Sequence, residues 1–235
     1  MGRAICELFA REGARVLVNY RASRDAAEEV ASRIRDHGGD AIAFQASVAV
    51  EAEVRTMMEA VERRWGRLDI LVNNAGWSKR TPHHLLEDLT DEIWDRTVNT
   101  NLRGAFYTMR AAAGLLRQSP GASIVNIASV APYTGEGSTI VYAASKAGLI
   151  SMTKSFARVL APEVRVNAIA PGLVHTNFAG WPPETFPAGA QQSPLKRIAT
   201  VEEVAASALF LAADATSMTG ETILIDCGVI ALRPR

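Results

Sequence analysis

Tyr142 and Lys146 stand four residues apart in Tyr142-Ala-Ala-Ser-Lys146, and Ser129 lies 13 residues before the tyrosine. On a helix, a spacing of four puts the phenol and the ammonium on one face, one turn apart. A free tyrosine titrates near ~10 and is a poor base at neutral pH. A cation within a few ångströms favours the phenolate, so Lys146 is expected to lower the Tyr142 pKa and make it a general acid/base. Ser129 ends an apolar run and would face the same crevice. Its hydroxyl can hydrogen-bond a substrate carbonyl and stabilise a developing alkoxide. Tyr/Lys pairs are also common on solvated helix surfaces, so the weight of this pair depends on what positions it.

The positioning elements alternate along the chain. Residues 2–13 place Ile5, Leu8 and Phe9 on one helical face and stop at Gly13. Arg15–Asn19 is a short strand, 24–37 a helix capped by Ser23, and Ala41–Phe44 the next strand. A helix over 51–65 follows, then a strand over Leu68–Asn73 and a long helical stretch over 90–118 with a turn near its middle. Ser123–Ile127 is a strand, 140–161 a helix, Val164–Ala168 a strand, 201–213 a helix and Thr222–Ile225 the last strand. The strands are continuous apolar runs, which predicts a parallel sheet covered by helices on both faces. In such sheets, ligands bind beyond the carboxyl ends of the strands. The residues after each strand are Asn19–Ser23, Ala46–Val48, Asn73–Gly76, Ala128–Val130 and Pro171–Thr176.

Composition narrows the classes. The 235 residues carry 25 Lys+Arg and 25 Asp+Glu, a balance that excludes a strongly basic nucleic-acid binder. Apolar residues make up 48%, enough to fill a core. No apolar run approaches a membrane span, and no signal peptide is visible. The two cysteines, Cys6 and Cys227, form no disulfide scaffold or zinc spacing, so the expected setting is reducing and cytoplasmic. His83-His84 reads as a solvated pair, and no metal site is expected. Residues 1–235 read as one domain, because too little chain follows the Pro/Gly/Trp-rich loop at 171–194 to make a second.

The motifs in order are Asn73-Asn-Ala-Gly76, Asn99-Thr-Asn-Leu-Arg-Gly104, Ser129, Tyr142-x-x-x-Lys146, Arg165-Val-Asn-Ala-Ile-Ala-Pro-Gly172 and Thr219-Gly-Glu-Thr222. The chain resembles the short-chain dehydrogenase/reductase family from Gly2 to about Gly228, most closely its ketoacyl-carrier-protein reductase and glucose dehydrogenase branch. The resemblance implies an α/β, Rossmann-like, doubly wound parallel sheet in three layers. It implies that Tyr142 is the acid/base, that Lys146 also holds the nicotinamide ribose, and that Ser129 orients the carbonyl. Asn101 would kink its helix and hold a water for proton relay. Asn74, Ala75 and Gly76 would line the adenine-ribose side of the cofactor, and Pro171, Gly172, Val174 and Thr176 its nicotinamide end. Where many members carry Asp-Val, this chain has Ser47-Val48, which still hydrogen-bonds but lacks the charge.

The cofactor choice follows from Asn19-Tyr-Arg-Ala-Ser23. NAD sites usually place an acid there for the ribose 2′-hydroxyl, whereas a guanidinium suits a 2′-phosphate. With Arg21 and no acid, NADP is expected and NAD is the alternative. Gly2 matches the last glycine of the family's phosphate-binding turn. The usual first strand and most of that turn are therefore missing, which would leave unpaired strand edges inside the sheet. One explanation is a working protein that begins upstream of an internal Met1. The other is a truncated chain that binds cofactor poorly.

The expected activity is NADP-dependent interconversion of a ketone and a secondary alcohol on a small-molecule substrate. The alternative is a non-catalytic oligomeric or binding protein on the same fold. Ala143, Ala144, Ala147, Gly148, Ser151 and Ser155 are small residues on the 140–161 helix, and they suggest a homo-oligomer, a tetramer or dimer. Phe178, Trp181 and Phe186 form either an apolar lid over the substrate or ordinary loop packing.

Overall fold

The computed structural model describes residues 1–232. In chain order its elements are α1 (Gly2–Arg11), β1 (Val16–Tyr20), α2 (Arg24–Asp36), β2 (Ala41–Gln45), α3 (Glu51–Trp65) and β3 (Ile70–Asn73). Then come α4 (Asp91–Val98), α5 (Gly104–Arg117), β4 (Ser123–Ile127), α6 (Ala131–Thr134) and α7 (Ile140–Leu160). The chain continues through β5 (Arg165–Pro171), α8 (Thr185–Gln192), α9 (Val201–Leu209) and β6 (Thr222–Ile225). The fold is α/β and Rossmann-like, with parallel strands throughout.

Strands β3-β4-β5-β6 form one sheet in that order, and β1-β2 form another. β4 is buried along its whole length, and its side chains alternate between two layers. Val125 and Ile127 pack with Ile169 against Ile5 and Phe9 of α1 and Val204 of α9. Ile124 packs the other way with Val166, against Met109 and Leu116 of α5 and Leu149 and Leu160 of α7. Helices therefore cover both faces of the sheet, as continuous apolar strands require. β1 and β3 do not pair with each other, as the expectation of unpaired edges required. Between them lies a cleft of about 720 Å³ whose walls include Val16, Leu17, Val18, Ile70, Leu71 and Val72.

Three local features have physical causes. The 90–118 stretch is helical with its break near the middle, as expected, and the break is a wider, π-type turn over Asn99–Arg103 between α4 and α5. Gly104 is required just after it, because a Cβ there would meet Val48 Cγ2 at 2.8 Å. The 171–194 loop contains α8, since Pro187 falls in the first turn, where a helix has no partner for the missing N–H. β5 extends to Pro171, beyond the expected Ala168, because β6 pairs with its last four residues.

A buried polar chain ties the layers together. Thr108 of α5 donates to Asn73 Oδ1 at 2.6 Å, and Asn73 donates to Asn126 Oδ1 at 2.8 Å. Asn126 in turn donates to Thr153 of α7 at 2.9 Å. Asn73 and Asn126 are register partners in β3 and β4, so this bond forms only when the two strands are correctly aligned. Removing one member leaves buried donors without partners. Asn126→Ala is therefore expected to lower the unfolding free energy by about 2–3 kcal/mol in urea titration. A loss below about 0.5 kcal/mol would show that the chain is not a stabilising tie.

Candidate active site

Four elements converge at the carboxyl ends of β3, β4 and β5. Thr139 caps α7 and accepts from the Tyr142 backbone N–H at 2.9 Å, which fixes Tyr142 in the first turn. One turn on, the Lys146 ammonium reaches under the strand end and donates to Ile127 O at 2.6 Å. Ser129 lies two residues past β4, and its Oγ accepts from Ala131 N at 3.1 Å. The Ser129 side chain acts on the Tyr142 hydroxyl in the direction that favours its ionised form. The structure thus brings Tyr142, Lys146 and Ser129 together.

The electrostatics differ from the simple expectation. Tyr142 is partly buried as a residue, but its hydroxyl lies deep. Burial pushes the phenol up to about 12, against a smaller opposing effect of Ser129. The Lys146 amine lies 5.8 Å from the centre of the tyrosine ring, and its own burial lowers it to about 8. Desolvation therefore governs the phenol, and its pKa lies above the ordinary value where the sequence led us to expect it below. The site as it stands holds a neutral phenol.

Asn101 sits buried in the π-type turn between α4 and α5. Its Oδ1 accepts from Trp77 N at 2.7 Å, and its Nδ2 donates to Trp77 O at 3.0 Å and Ser145 Oγ at 3.2 Å. Both amide hydrogens are used, so the residue clamps the loop after Asn73-Asn-Ala-Gly76 to α7. The irregular turn was expected as a kink, and it is what swings this amide inward.

The remaining expected residues fall into two groups. Gly2, Asn19, Ser23, Val48, Asn74 and Ala75 line the cleft beside β1 and β3. A Cβ on Gly2 would meet Asn74 Nδ2 at 2.7 Å, and Asn74 Oδ1 is buried without a partner among the described residues. A glycine-held approach at a helix start beside an unpartnered amide suits the phosphate and ribose of a dinucleotide. Asn19 is less available, because its amide bridges the strand ends to Ala46 O at 2.9 Å and Phe44 O at 3.3 Å. Arg21 is exposed and makes no ion pair among the described residues. Ser47 is occupied at its backbone N–H by Glu53 at 2.6 Å.

At the other end, the Pro171 carbonyl accepts from Val130 N at 3.0 Å and so joins this loop to Ser129. Gly172 is needed because a Cβ would lie 3.0 Å from Asp226 Cα. Val174 is buried in the core, and its backbone bridges to Ala199. Thr176 Oγ1 accepts from Phe178 N at 3.4 Å. Gly76 lies across from Tyr142, with Phe178 between them.

Two features of the site were not visible beforehand. The Asn73–Asn126 pair depends on strand register, and only the odd placement of Asn126 inside an apolar strand hinted at it. His83, expected to be solvated, is partly buried with an unpartnered Nε2.

Comparison with known proteins agrees with this geometry. The family model described as enoyl-(acyl carrier protein) reductase matches residues 1–230. A 3-oxoacyl-(acyl-carrier-protein) reductase from Staphylococcus aureus is 39% identical over 233 residues, covering 97% of this chain and 93% of the relative. A reductase of the same name from Synechocystis is 38% identical, covering 98% and 92%. A solved structure described as a short-chain dehydrogenase/reductase of the glucose/ribitol dehydrogenase type, from Brucella melitensis, superposes with a TM-score of 0.89. It is 31% identical and covers 97% of this chain and 91% of its own. The chain belongs to the short-chain dehydrogenase/reductase family of oxidoreductases, enzymes that act on small molecules with a nicotinamide cofactor of the NAD(P)H type.

Lys146 makes a direct prediction. Its folded pKa, about 8, lies below its ordinary value of 10.5, so folding releases a proton between those pH values. The cost of burying the charge is full at pH 7 and fades as pH rises through that window. Lys146→Met should raise stability at pH 7 by up to about 3 kcal/mol, a gain that shrinks between pH 8 and 10.5. A gain that stays constant with pH in thermal melts would contradict it.

Proposed function

We propose that this enzyme interconverts a ketone and a secondary alcohol with NADP(H), using Tyr142 as the proton donor and acceptor. The observation that carries the reading is the buried Tyr142 hydroxyl on the Ser129 side of the site, with the Lys146 amine held by Ile127 O and 5.8 Å from the centre of the tyrosine ring. The cofactor supplies or accepts the hydride at the carbonyl carbon. Ser129 Oγ holds and polarises the carbonyl oxygen. Tyr142 Oη gives its proton to the developing alkoxide in reduction and takes it back in oxidation. Burial favours the protonated phenol at neutral pH, the form that reduction needs. Once that proton leaves, the Lys146 ammonium is the nearby charge that stabilises the phenolate. Asn101 acts as a positioning residue through Trp77 and Ser145.

Gly2, Ser23, Asn74, Ala75 and Gly76 would hold the cofactor, with Pro171, Gly172 and Thr176 at its reacting end. Arg21 supports NADP over NAD, because an exposed guanidinium without an ion pair among the described residues suits a 2′-phosphate. The names of the relatives point to a 3-oxoacyl thioester as the substrate class, for which ethyl acetoacetate is a small probe. The whole chain is read as one domain. No helix among the described residues is long and apolar enough to cross a membrane. A reducing, cytoplasmic setting fits the two free cysteines.

A homo-oligomer fits the outer stripe of α7. Ala144, Ala147, Ser151, Ser155 and Val159 are all exposed along it. Gly148 instead serves the fold, since a Cβ there would meet Leu102 at 3.0 Å. Light scattering should give a dimer or tetramer that Ala147→Glu weakens, and a monomer at every concentration would contradict it.

The functional reading is tested by NADPH-dependent reduction of ethyl acetoacetate. Tyr142→Phe should lower kcat by at least about 100-fold while leaving NADPH binding intact. Arg21→Ala should weaken NADPH use roughly tenfold and leave NADH use nearly unchanged. Full activity in Tyr142→Phe, or a wild-type preference for NADH, would overturn the corresponding assignment.

A further inference from the structure

The ring of Tyr142 has two walls. On one side Gly137 comes so close that a Cβ would lie 3.4 Å from Tyr142 Cδ1. On the other the Phe178 ring sits with its centre 5.5 Å from that of Tyr142, inclined at 51°. The same Phe178 ring reaches the loop after β3, where a Cβ on Gly76 would be 3.8 Å from Phe178 Cε2 and 3.5 Å from Asn101 Oδ1. Phe178 thus spans the gap between Tyr142 and the opposite wall.

The backbone that carries this ring is held from both sides. Phe178 N donates to Thr176 Oγ1. The next residue, Ala179, has φ of 60°, a left-handed conformation that costs an alanine energy, and Gly180 continues it at 67°. The Ala179 carbonyl accepts from Arg80 N at 3.3 Å, and the Arg80 guanidinium lies 5.7 Å from the centre of the Trp181 ring. A strained residue fixed by contacts on each side implies that the position of the ring is specified rather than incidental.

We propose that Phe178 is a specificity-determining residue: its ring walls one side of the approach to Tyr142 so that a ketone on an unbranched chain reaches Tyr142 and one flanked by a bulky branch does not. A carbonyl must approach within hydrogen-bond distance of Tyr142 Oη and Ser129 Oγ. One flank of that approach is the Phe178 face. A slim methylene chain can lie along this apolar surface, whereas a branch at the carbon next to the carbonyl meets the ring edge. Phe178 takes no part in proton transfer. This inference rests on the proposed ketone reduction.

The test compares ethyl acetoacetate with ethyl 2-benzylacetoacetate as substrates with NADPH. Phe178→Ala should raise the ratio of kcat/KM for the benzyl over the unbranched ester roughly tenfold or more, and Phe178→Leu should fall between alanine and wild type. An unchanged ratio in both variants would overturn the proposal. A second measurement is independent of turnover. Acetylation of Tyr142 by N-acetylimidazole, read by peptide mass spectrometry, should be slow in wild type and faster in Phe178→Ala. Equal rates would show that Phe178 does not cover Tyr142 and would overturn the proposal. If no variant reduces either ester while the acetylation contrast is present, the ketone reading of the site fails and the covering of Tyr142 by Phe178 stands.

Discussion

Desolvation of the Tyr142 hydroxyl and the Lys146 ammonium is the constraint on which the rest of the site depends. Each group in its charged form would prefer water, and burial moves both pKa values towards the neutral forms, the phenol to about 12 and the amine to about 8. Such a pair persists only where its polar atoms have partners. The Ile127 carbonyl satisfies the amine, Ser129 acts on the phenol, and both residues lie where β4 ends. The end of that strand and the start of α7 must therefore be placed together. Thr139 sets the helix start and the Asn73–Asn126–Thr153 chain sets strand against helix.

What was legible in the sequence was local. The four-residue spacing of Tyr142 and Lys146 survives folding because a helix fixes it, and the apolar runs located the strands whose ends carry the site. The glycines at 104 and 172 stand where only a backbone without Cβ fits, beside Val48 and Asp226. What was hidden depended on pieces distant in sequence. The direction of the Tyr142 shift comes from the burial of its hydroxyl, which no spacing reports. The bond between Asn73 and Asn126 spans 53 positions and exists only in one register. Phe178 reaches Tyr142 from a loop whose path depends on the left-handed turn at Ala179.

The division of the sheet bears on the cofactor side. Tyr142, Lys146 and Ser129 gather at the end of the four-stranded sheet, with β4 paired on both sides, whereas Asn19 lies in β1 of the two-stranded sheet and Ser23 just after it. The two regions meet across the cleft between β1 and β3, with Gly2 and Asn74 in contact at its edge. In the proposed reading, the acid/base groups rest on a continuous ladder, and the groups that would hold the cofactor's ribose rest on a smaller unit packed on α2, where Val18, Val30 and Ile34 form a separate cluster. Changes on that side should affect cofactor affinity more than proton transfer.

The most direct measurement of the central claim is the ionisation of Tyr142 in the folded protein without cofactor. Tyrosine labelled with carbon-13 at Cζ reports the charge of each ring by its chemical shift, and Tyr142→Phe assigns the signal. At about pH 10, where an ordinary phenol is half ionised, Tyr142 should remain protonated, because its burial holds it near 12. A Tyr142 signal already half ionised at or below that pH would show that desolvation does not govern the site, and would contradict the account.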